Sequence, residues 1–250
     1  MNTKKRIVII GATSTIAEHC ARLWLAKQSA DLTLVGRDAQ RIERVATDLK
    51  VRSPQSEIRV VQTDFLDPKA INATVLDIVK SGPVDIVLIA HGSLPNQATC
   101  QTDTQSCLDA LEINGISPVL FAETFANSLE KAQHGTIALI GSVAGDRGRK
   151  SNYVYGAAKG LINRYAQGLQ HRFANTNVKI ILIKPGPTNT TMTAHLASEG
   201  KKMADVHIVA SDIVNGIENG RQCIYTPSKW MLLMLIIKHI PSAIFNKINI

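Results

Sequence analysis

The sequence predicts an α/β fold, a doubly wound parallel sheet of about seven strands with helices on both faces. Three observations predict it. Most of the short runs rich in Val and Ile are continuously apolar instead of alternating with polar residues, as expected of parallel strands covered on both faces. Segments with helical spacing of apolar residues separate these runs, so strand and helix alternate along the chain. The 250 residues carry no internal repeat, no low-complexity stretch and no linker rich in Pro, Gly or Ser, so one domain accounts for the chain.

Taken in order, the first strand is "RIVII", residues 6–10, and it stops at Gly11. Thr15 stands three residues before Glu18, the spacing of a capping box, so a helix is expected over 15–27. "LTLV" gives a second strand over 32–35. Asp38 is placed to cap a helix over 38–50. Further strands are expected over 58–62, 84–89, 136–140, 178–183 and 223–225. Helical patterns fill 68–80, a long region over 104–131, 153–174 and 211–219.

Composition narrows the function. The net charge of +8 comes from scattered residues with no long basic stripe, which argues against a nucleic-acid partner. Cys20, Cys100, Cys107 and Cys223 form no C-x-x-C pair, as expected of free thiols in a reducing, cytoplasmic setting. Basic residues precede apolar ones in "MNTKKRIVII", but the apolar run ends after four residues, too short for a signal peptide. No cluster suggests a metal.

Ligands of such sheets bind at the carboxyl ends of the strands. There, "GATSTIA" offers Gly11 for a tight turn, the hydroxyls of Thr13, Ser14 and Thr15, and a helix N-terminus suited to pyrophosphate. Ala17 is small enough for close packing of helix on strand. A single glycine also fits an ordinary strand-to-helix junction. The tip of the second strand reads Val35-Gly36-Arg37-Asp38. An acidic residue there would hold a ribose 2′-hydroxyl, whereas Arg37 suits a 2′-phosphate, which favours NADP(H) over NAD(H).

"SNYVYGAAKG" sets Tyr155 and Lys159 four apart, on one helix face. A phenol with a pKa of about 10 is a poor acid–base catalyst at neutral pH, and a nearby cation is expected to lower it. Tyr153 has Ala157 four residues on and no such partner. Ser142 ends the run "IALIG" and is placed to hydrogen-bond a substrate oxygen. Asn114, in "EINGISP", is a polar residue able to interrupt the long helix and hold water, or a bent-helix residue with no further role.

With these residues in order, the sequence resembles the short-chain dehydrogenases/reductases. The resemblance covers residues 5 to about 226: the turn at Gly11, "TDFLD", Asn114, Ser142, Tyr155, Lys159 and "PGPTNT". It implies a Rossmann-type fold and hydride transfer between nicotinamide C4 and a carbonyl or secondary alcohol. It implies Tyr155 as general acid/base and Lys159 as the cation that lowers its pKa and bonds the nicotinamide ribose. Ser142 would orient the reacting oxygen, and Asn114 would hold a water in a proton relay. The cofactor would touch Gly11, Thr13, Ser14, Thr15, Ile16 and Arg37. Asp64 and Phe65 would lie against the adenine, and Pro185, Gly186, Thr188 and Thr190 would frame the nicotinamide. The family also implies a homodimer or homotetramer.

The sequence departs from the family at several places. Thr15 and Ala17 stand where turn glycines are common, and "NNAG" reads Ile89-Ala90-His91-Gly92. Ala90 cannot make an asparagine's hydrogen bonds. His91 reads as a strand-end residue near the cofactor, since Tyr155 already fills the acid–base role. "GATSTIAE", "AHG" and a "W…LIIKHIP…F" segment resemble reductases of polyprenyl-phosphate-linked 2-keto-pentoses. A small-molecule or a lipid-linked carbonyl is therefore the expected substrate. The alternative class is a catalytically silent NADP(H)-binding regulator, which would not need all four of Asn114, Ser142, Tyr155 and Lys159.

Residues 1–226 are expected to form the catalytic core and 227–250 an apolar segment of the same domain. "WMLLMLII", residues 230–237, is apolar on every side and far too short to span a bilayer. Two readings stay open: a lid or subunit interface, and a peripheral anchor at the inner membrane face flanked by Lys229, Lys238 and Lys247. Arg147, Arg149 and Lys150 are either solvated or near a substrate phosphate.

Overall fold

The computed structural model describes residues 4–194, 200 and 202–248. Seven strands form one sheet: β1 Lys5–Ile10, β2 Ala30–Gly36, β3 Ile58–Gln62, β4 Ile86–Ile89, β5 Gly135–Ile140, β6 Val178–Pro185 and β7 Cys223–Thr226. Their order is β3-β2-β1-β4-β5-β6-β7, and every pair is parallel. The order reverses between β1 and β4, and that switch point is where such a sheet opens a crevice.

The helices are α1 Thr15–Lys27, α2 Ala39–Arg52, α3 Pro68–Lys80, α4 Gln97–Thr102, α5 Thr104–Leu111, α6 Ser117–Ala132, α7 Tyr153–Arg172, α8 Val206–Glu218, α9 Lys229–His239 and α10 Ser242–Phe245. Two apolar layers sandwich the sheet. Trp24, Leu34, Ile42, Ile213 and Val214 fill one face, where α1, α2 and α8 lie. Phe65, Ile71, Phe121, Phe125, Ile162 and Leu169 fill the other, under α3, α6 and α7. Because both faces are covered, residues pointing either way from a strand must be apolar, and this is why β1 and β4 read as unbroken runs.

The first helix is capped differently from the capping-box expectation. Ser14, in extended backbone, is the N-cap and Thr15 the first helical residue. The Ser14 side chain makes no capping hydrogen bond. Glu18 is therefore one residue too far along for the reciprocal bond, and its carboxylate lies 3.7 Å from Arg22. Asp38 does cap α2, accepting from the Arg41 N–H at 3.1 Å. The last core helix begins at Val206, five residues before the expected 211, because Asp205 caps it through the His207 N–H.

The expected helix over 104–131 is broken. Between α5 and α6 the backbone widens into a π turn over Glu112–Ile116. The chain dictates this locally. Pro118 has no N–H to offer the carbonyl of Asn114, its α-helical partner four residues back. Ser117 donates instead to the Glu112 carbonyl, five residues back.

Candidate active site

A cleft of about 700 Å³ opens at the carboxyl ends of the central strands. β1 ends beside β2 and β4 in register, Ile10 level with Val35 and Ile89. The N–H groups of Gly11 and Ala12 both donate to the Val35 carbonyl, at 2.9 and 3.1 Å, and this bends the chain sharply toward α1. Gly11 has φ +83°, and a Cβ there would sit 2.7 Å from the His91 Cβ, so only glycine fits. Past this turn, Thr13, Ser14, Thr15 and Ile16 line the cleft with the first turn of α1. The first N–H groups of a helix have no partner within it, and the Ser14 hydroxyl makes no cap bond. This cradle of donors fits a pyrophosphate.

At the tip of β2, Gly36 and Arg37 line the cleft, and Arg41 from the first turn of α2 joins them. The Arg37 carbonyl accepts from Gln62 Nε2 at 3.0 Å, so its backbone is tied to β3. Arg41 was not picked out from the sequence. The signal was its place one helical turn after Arg37. Phe65 also lines the cleft, 2% exposed, with its ring edge-on to His91 at 4.6 Å. Asp64 does not line it. Its carboxylate accepts from the Leu66 N–H at 2.8 Å, which closes a local turn.

Ala90, His91 and Gly92 follow β4 along the floor. His91 Nε2 and Ser117 Oγ are 2.8 Å apart, and Nδ1 has no partner. Burial, with Lys159 and Arg37 adding repulsion, pushes the His91 pKa down to about 3. The imidazole is therefore neutral and packs edge-on against Phe65 and Phe121, which also touch each other.

Asn114, Ser142, Tyr155 and Lys159 converge at the other end of the cleft. The π turn carries Asn114 inward, where its Oδ1 accepts from the Ser93 N–H at 2.8 Å and its Nδ2 donates to the Ala110 carbonyl at 2.9 Å. Gly92 separates Asn114 Oδ1 from Lys159 Nζ. Lys159 is 3% exposed; its ammonium donates to the Ile140 carbonyl at 3.0 Å and lies 5.8 Å from the Tyr155 ring centroid. Burial lowers its pKa to about 8. Tyr155 faces the cleft half-buried, and burial raises its pKa to about 12, with the Ser142 hydroxyl pulling the other way. The sequence led us to expect a lowered phenol. In this arrangement desolvation outweighs the Ser142 hydrogen bond, and the Lys159 ammonium donates to a backbone carbonyl. Tyr153 begins α7 and is 44% exposed, away from the cleft.

Pro185, Gly186, Thr188 and Thr190 complete the lining after β6. Thr188 is buried and donates to the Gly186 carbonyl at 2.9 Å.

Beneath the Ser142 loop lies a polar cluster that sequence reasoning missed. Asp146 accepts from Lys184 Nζ at 2.6 Å, Tyr225 Oη at 2.7 Å and Asn163 Nδ2 at 3.1 Å. The Asp146 and Lys184 side chains are 3% and 7% exposed. The cluster ties the loop after β5 to β6, β7 and α7. Its one visible signal was Lys184, a cation that follows the apolar run Ile180–Ile183.

Arg147 also departs from both readings of it. It donates to the carbonyls of Ile237 at 2.7 Å, Lys238 at 3.2 Å and Ile240 at 2.5 Å, and its guanidinium stacks 3.7 Å from the Phe245 ring. None of Arg147, Arg149 and Lys150 lines the cleft.

A seven-stranded parallel sheet with a cleft at its switch point defines a Rossmann-type nucleotide-binding fold. The short chain dehydrogenase family matches residues 5–201, and the chain belongs to it; it is an oxidoreductase of that family. Over 244 residues it is 25% identical to an uncharacterized oxidoreductase of Streptomyces coelicolor, spanning 98% of this chain and 96% of the relative. It is 26% identical over 246 residues to an uncharacterized oxidoreductase of Mycobacterium tuberculosis, spanning 96% of each. Its fold matches a short-chain dehydrogenase from Sphingobium yanoikuyae in complex with NADPH, at TM-score 0.82 and 20% identity, covering 96% of this chain and 97% of that one. A short chain dehydrogenase from Burkholderia cenocepacia in complex with NADP gives TM-score 0.82 at 14% identity, covering 98% and 97%.

Proposed function

We propose that the protein transfers hydride between NADP(H) and a carbonyl or secondary alcohol, with Tyr155 as general acid/base. The observation that carries this reading is the convergence of Asn114, Ser142, Tyr155 and Lys159 at one end of a cleft whose other end suits a phosphorylated dinucleotide. The donors of Thr13, Ser14, Thr15 and Ile16 would hold the pyrophosphate. Arg37 and Arg41 would meet the 2′-phosphate, a charge-assisted contact that NAD(H) cannot make. Phe65 would wall the adenosine side, Ala90, His91 and Gly92 the floor leading to the catalytic end, and Pro185, Gly186, Thr188 and Thr190 the nicotinamide side. When bound, the cofactor supplies or accepts the hydride.

The chain's own residues do the rest. Ser142 holds the substrate oxygen by hydrogen bonding. Tyr155 gives that oxygen its proton in reduction and takes it back in oxidation. A phenol near 12 stays protonated at neutral pH and so is charged for the reductive direction. Lys159, still largely cationic below its pKa of about 8, is the nearest group able to stabilise the phenolate left behind. Asn114, one residue's breadth from Lys159, passes the proton onward through water.

The narrower substrate proposal is a lipid-linked keto-sugar, supported by the resemblance of the "AHG" and 230–250 segments to polyprenyl-phosphate-linked keto-pentose reductases. We assign residues 227–248 to the same folding unit as the core, since Trp230 and Arg147 hold them to it. Two like subunits or four complete the proposed assembly. The test is NADPH consumption across a panel of ketones, small ones and polyprenyl-phosphate keto-sugars, with NADH run in parallel. The reading predicts turnover with at least one carbonyl and a strong preference for NADPH. No turnover across the panel despite tight NADPH binding would favour the silent regulator.

A further inference from the structure

Helix α9 has two apolar faces, and only one is used. Trp230, Met234 and Ile237 point inward and pack with Val143, Tyr225 and Phe245. Trp230 lies flat against the loop after β6, where a Cβ on Gly186 would meet its indole nitrogen at 1.9 Å. The outer face carries Met231, Leu232, Leu235 and Ile236, exposed by 62%, 63%, 55% and 57%. Their spacing puts them in one stripe, and Ile244 of α10, 56% exposed, adds to the apolar surface. Contiguous exposed apolar surface of this kind marks an interaction site.

The charge around the stripe identifies the partner. From Asn219 to Ile250 the sequence contains no Asp or Glu, while Arg221, Lys229, Lys238 and Lys247 fall within it. A second copy docked on this face would bring lysine against lysine, since a two-fold contact pairs the same patch with itself. A surface that is apolar below and negative above matches both features at once. We infer that the outer face of α9 and α10 docks on an anionic lipid surface, with Leu232 and Ile236 inserted among the acyl chains and the three lysines among the headgroups. Among the described residues no helix is long and apolar enough to cross a membrane, so the contact is peripheral. The inner face of α9 touches Val143, next to Ser142, so docking holds the Ser142 loop within about 10 Å of the headgroups, one helix diameter.

This inference stands apart from the choice of substrate, because its test reads binding and not turnover. The full chain is sedimented with vesicles of phosphatidylcholine plus phosphatidylglycerol and with vesicles of phosphatidylcholine alone, at low and high salt. It is expected to partition at least about tenfold more strongly onto the anionic vesicles at low salt. The exposed pair Leu232→Glu/Ile236→Glu should abolish partition while NADPH binding and the thermal midpoint stay unchanged. Lys229→Gln/Lys238→Gln/Lys247→Gln keeps the apolar stripe and should remove the preference for anionic lipid. Failure of the wild type to bind anionic vesicles, or undiminished binding by the double variant, would overturn the inference. So would a size-exclusion profile in which Leu232→Glu/Ile236→Glu splits an assembly that forms without lipid, since the face would then join two copies.

Discussion

Lys159 is a cation that the fold removes from water and leaves with one backbone carbonyl. Its folded pKa of about 8 lies below the ordinary 10.5, so between those values the unfolded chain binds more protons than the folded one. Stability must then rise with pH across that window. Relative to Lys159→Met, the wild type should gain about 3 kcal/mol between pH 7 and pH 10.5, read from denaturant unfolding at each pH. A difference that stays flat with pH would show that Lys159 is not desolvated. At the other end of the cleft, Arg37→Ala should weaken NADPH by about 1.5–3 kcal/mol and leave NADH nearly unaffected, measured by titration. Equal losses for both would move the 2′-phosphate elsewhere, with Arg41 the next candidate. The spacing of Tyr155 from Lys159 and the place of Ser142 at a strand end were legible in sequence because local geometry sets them. The direction of the Tyr155 shift was not, because desolvation depends on what the rest of the chain packs around the phenol.

At the scale of elements, the short apolar runs found all seven strands of the described residues, the central ones most plainly because both of their faces are covered. It did not find α4. Residues 97–102, "QATCQT", carry no apolar stripe, and the helix rests on its Asn96 cap, which accepts from the Thr99 N–H at 3.0 Å. Its Gln97 side chain in turn accepts from the Val154 N–H, in the first turn of α7, one residue from Tyr155. The break at Asn114 was half legible: the polar residue was visible, but the π turn follows from Pro118. The clamp between Arg147 and α9 was invisible, since it joins residues about ninety apart in sequence. Arg147→Ala removes three bonds to the carboxyl end of α9 and the stacking on Phe245. It should cost about 1–3 kcal/mol of stability. It should also lower kcat with little change in NADPH affinity, because α9 supports Val143 beside Ser142 and does not reach the phosphate turn. Unchanged kcat would confine the clamp to stability.

Across the whole molecule, the sheet order places Gly11, Arg37, His91, Ser142 and Gly186 at one edge, although they are spread over most of the chain. Fold and cleft were legible for that reason: alternation of strand and helix fixes the class, and the class fixes where ligands sit. What lies beyond β7 was legible as apolar residues flanked by lysines. Which face of α9 would be covered needed the packed structure. The account stands or falls on Tyr155. The direct measurement is turnover by Tyr155→Phe beside its NADPH dissociation constant, on a carbonyl that the wild type reduces, with Tyr153→Phe as control. The account predicts that Tyr155→Phe loses nearly all kcat while its NADPH affinity stays within about twofold, roughly 0.4 kcal/mol, and that Tyr153→Phe behaves as wild type. A Tyr155→Phe variant that keeps near-normal kcat would contradict it.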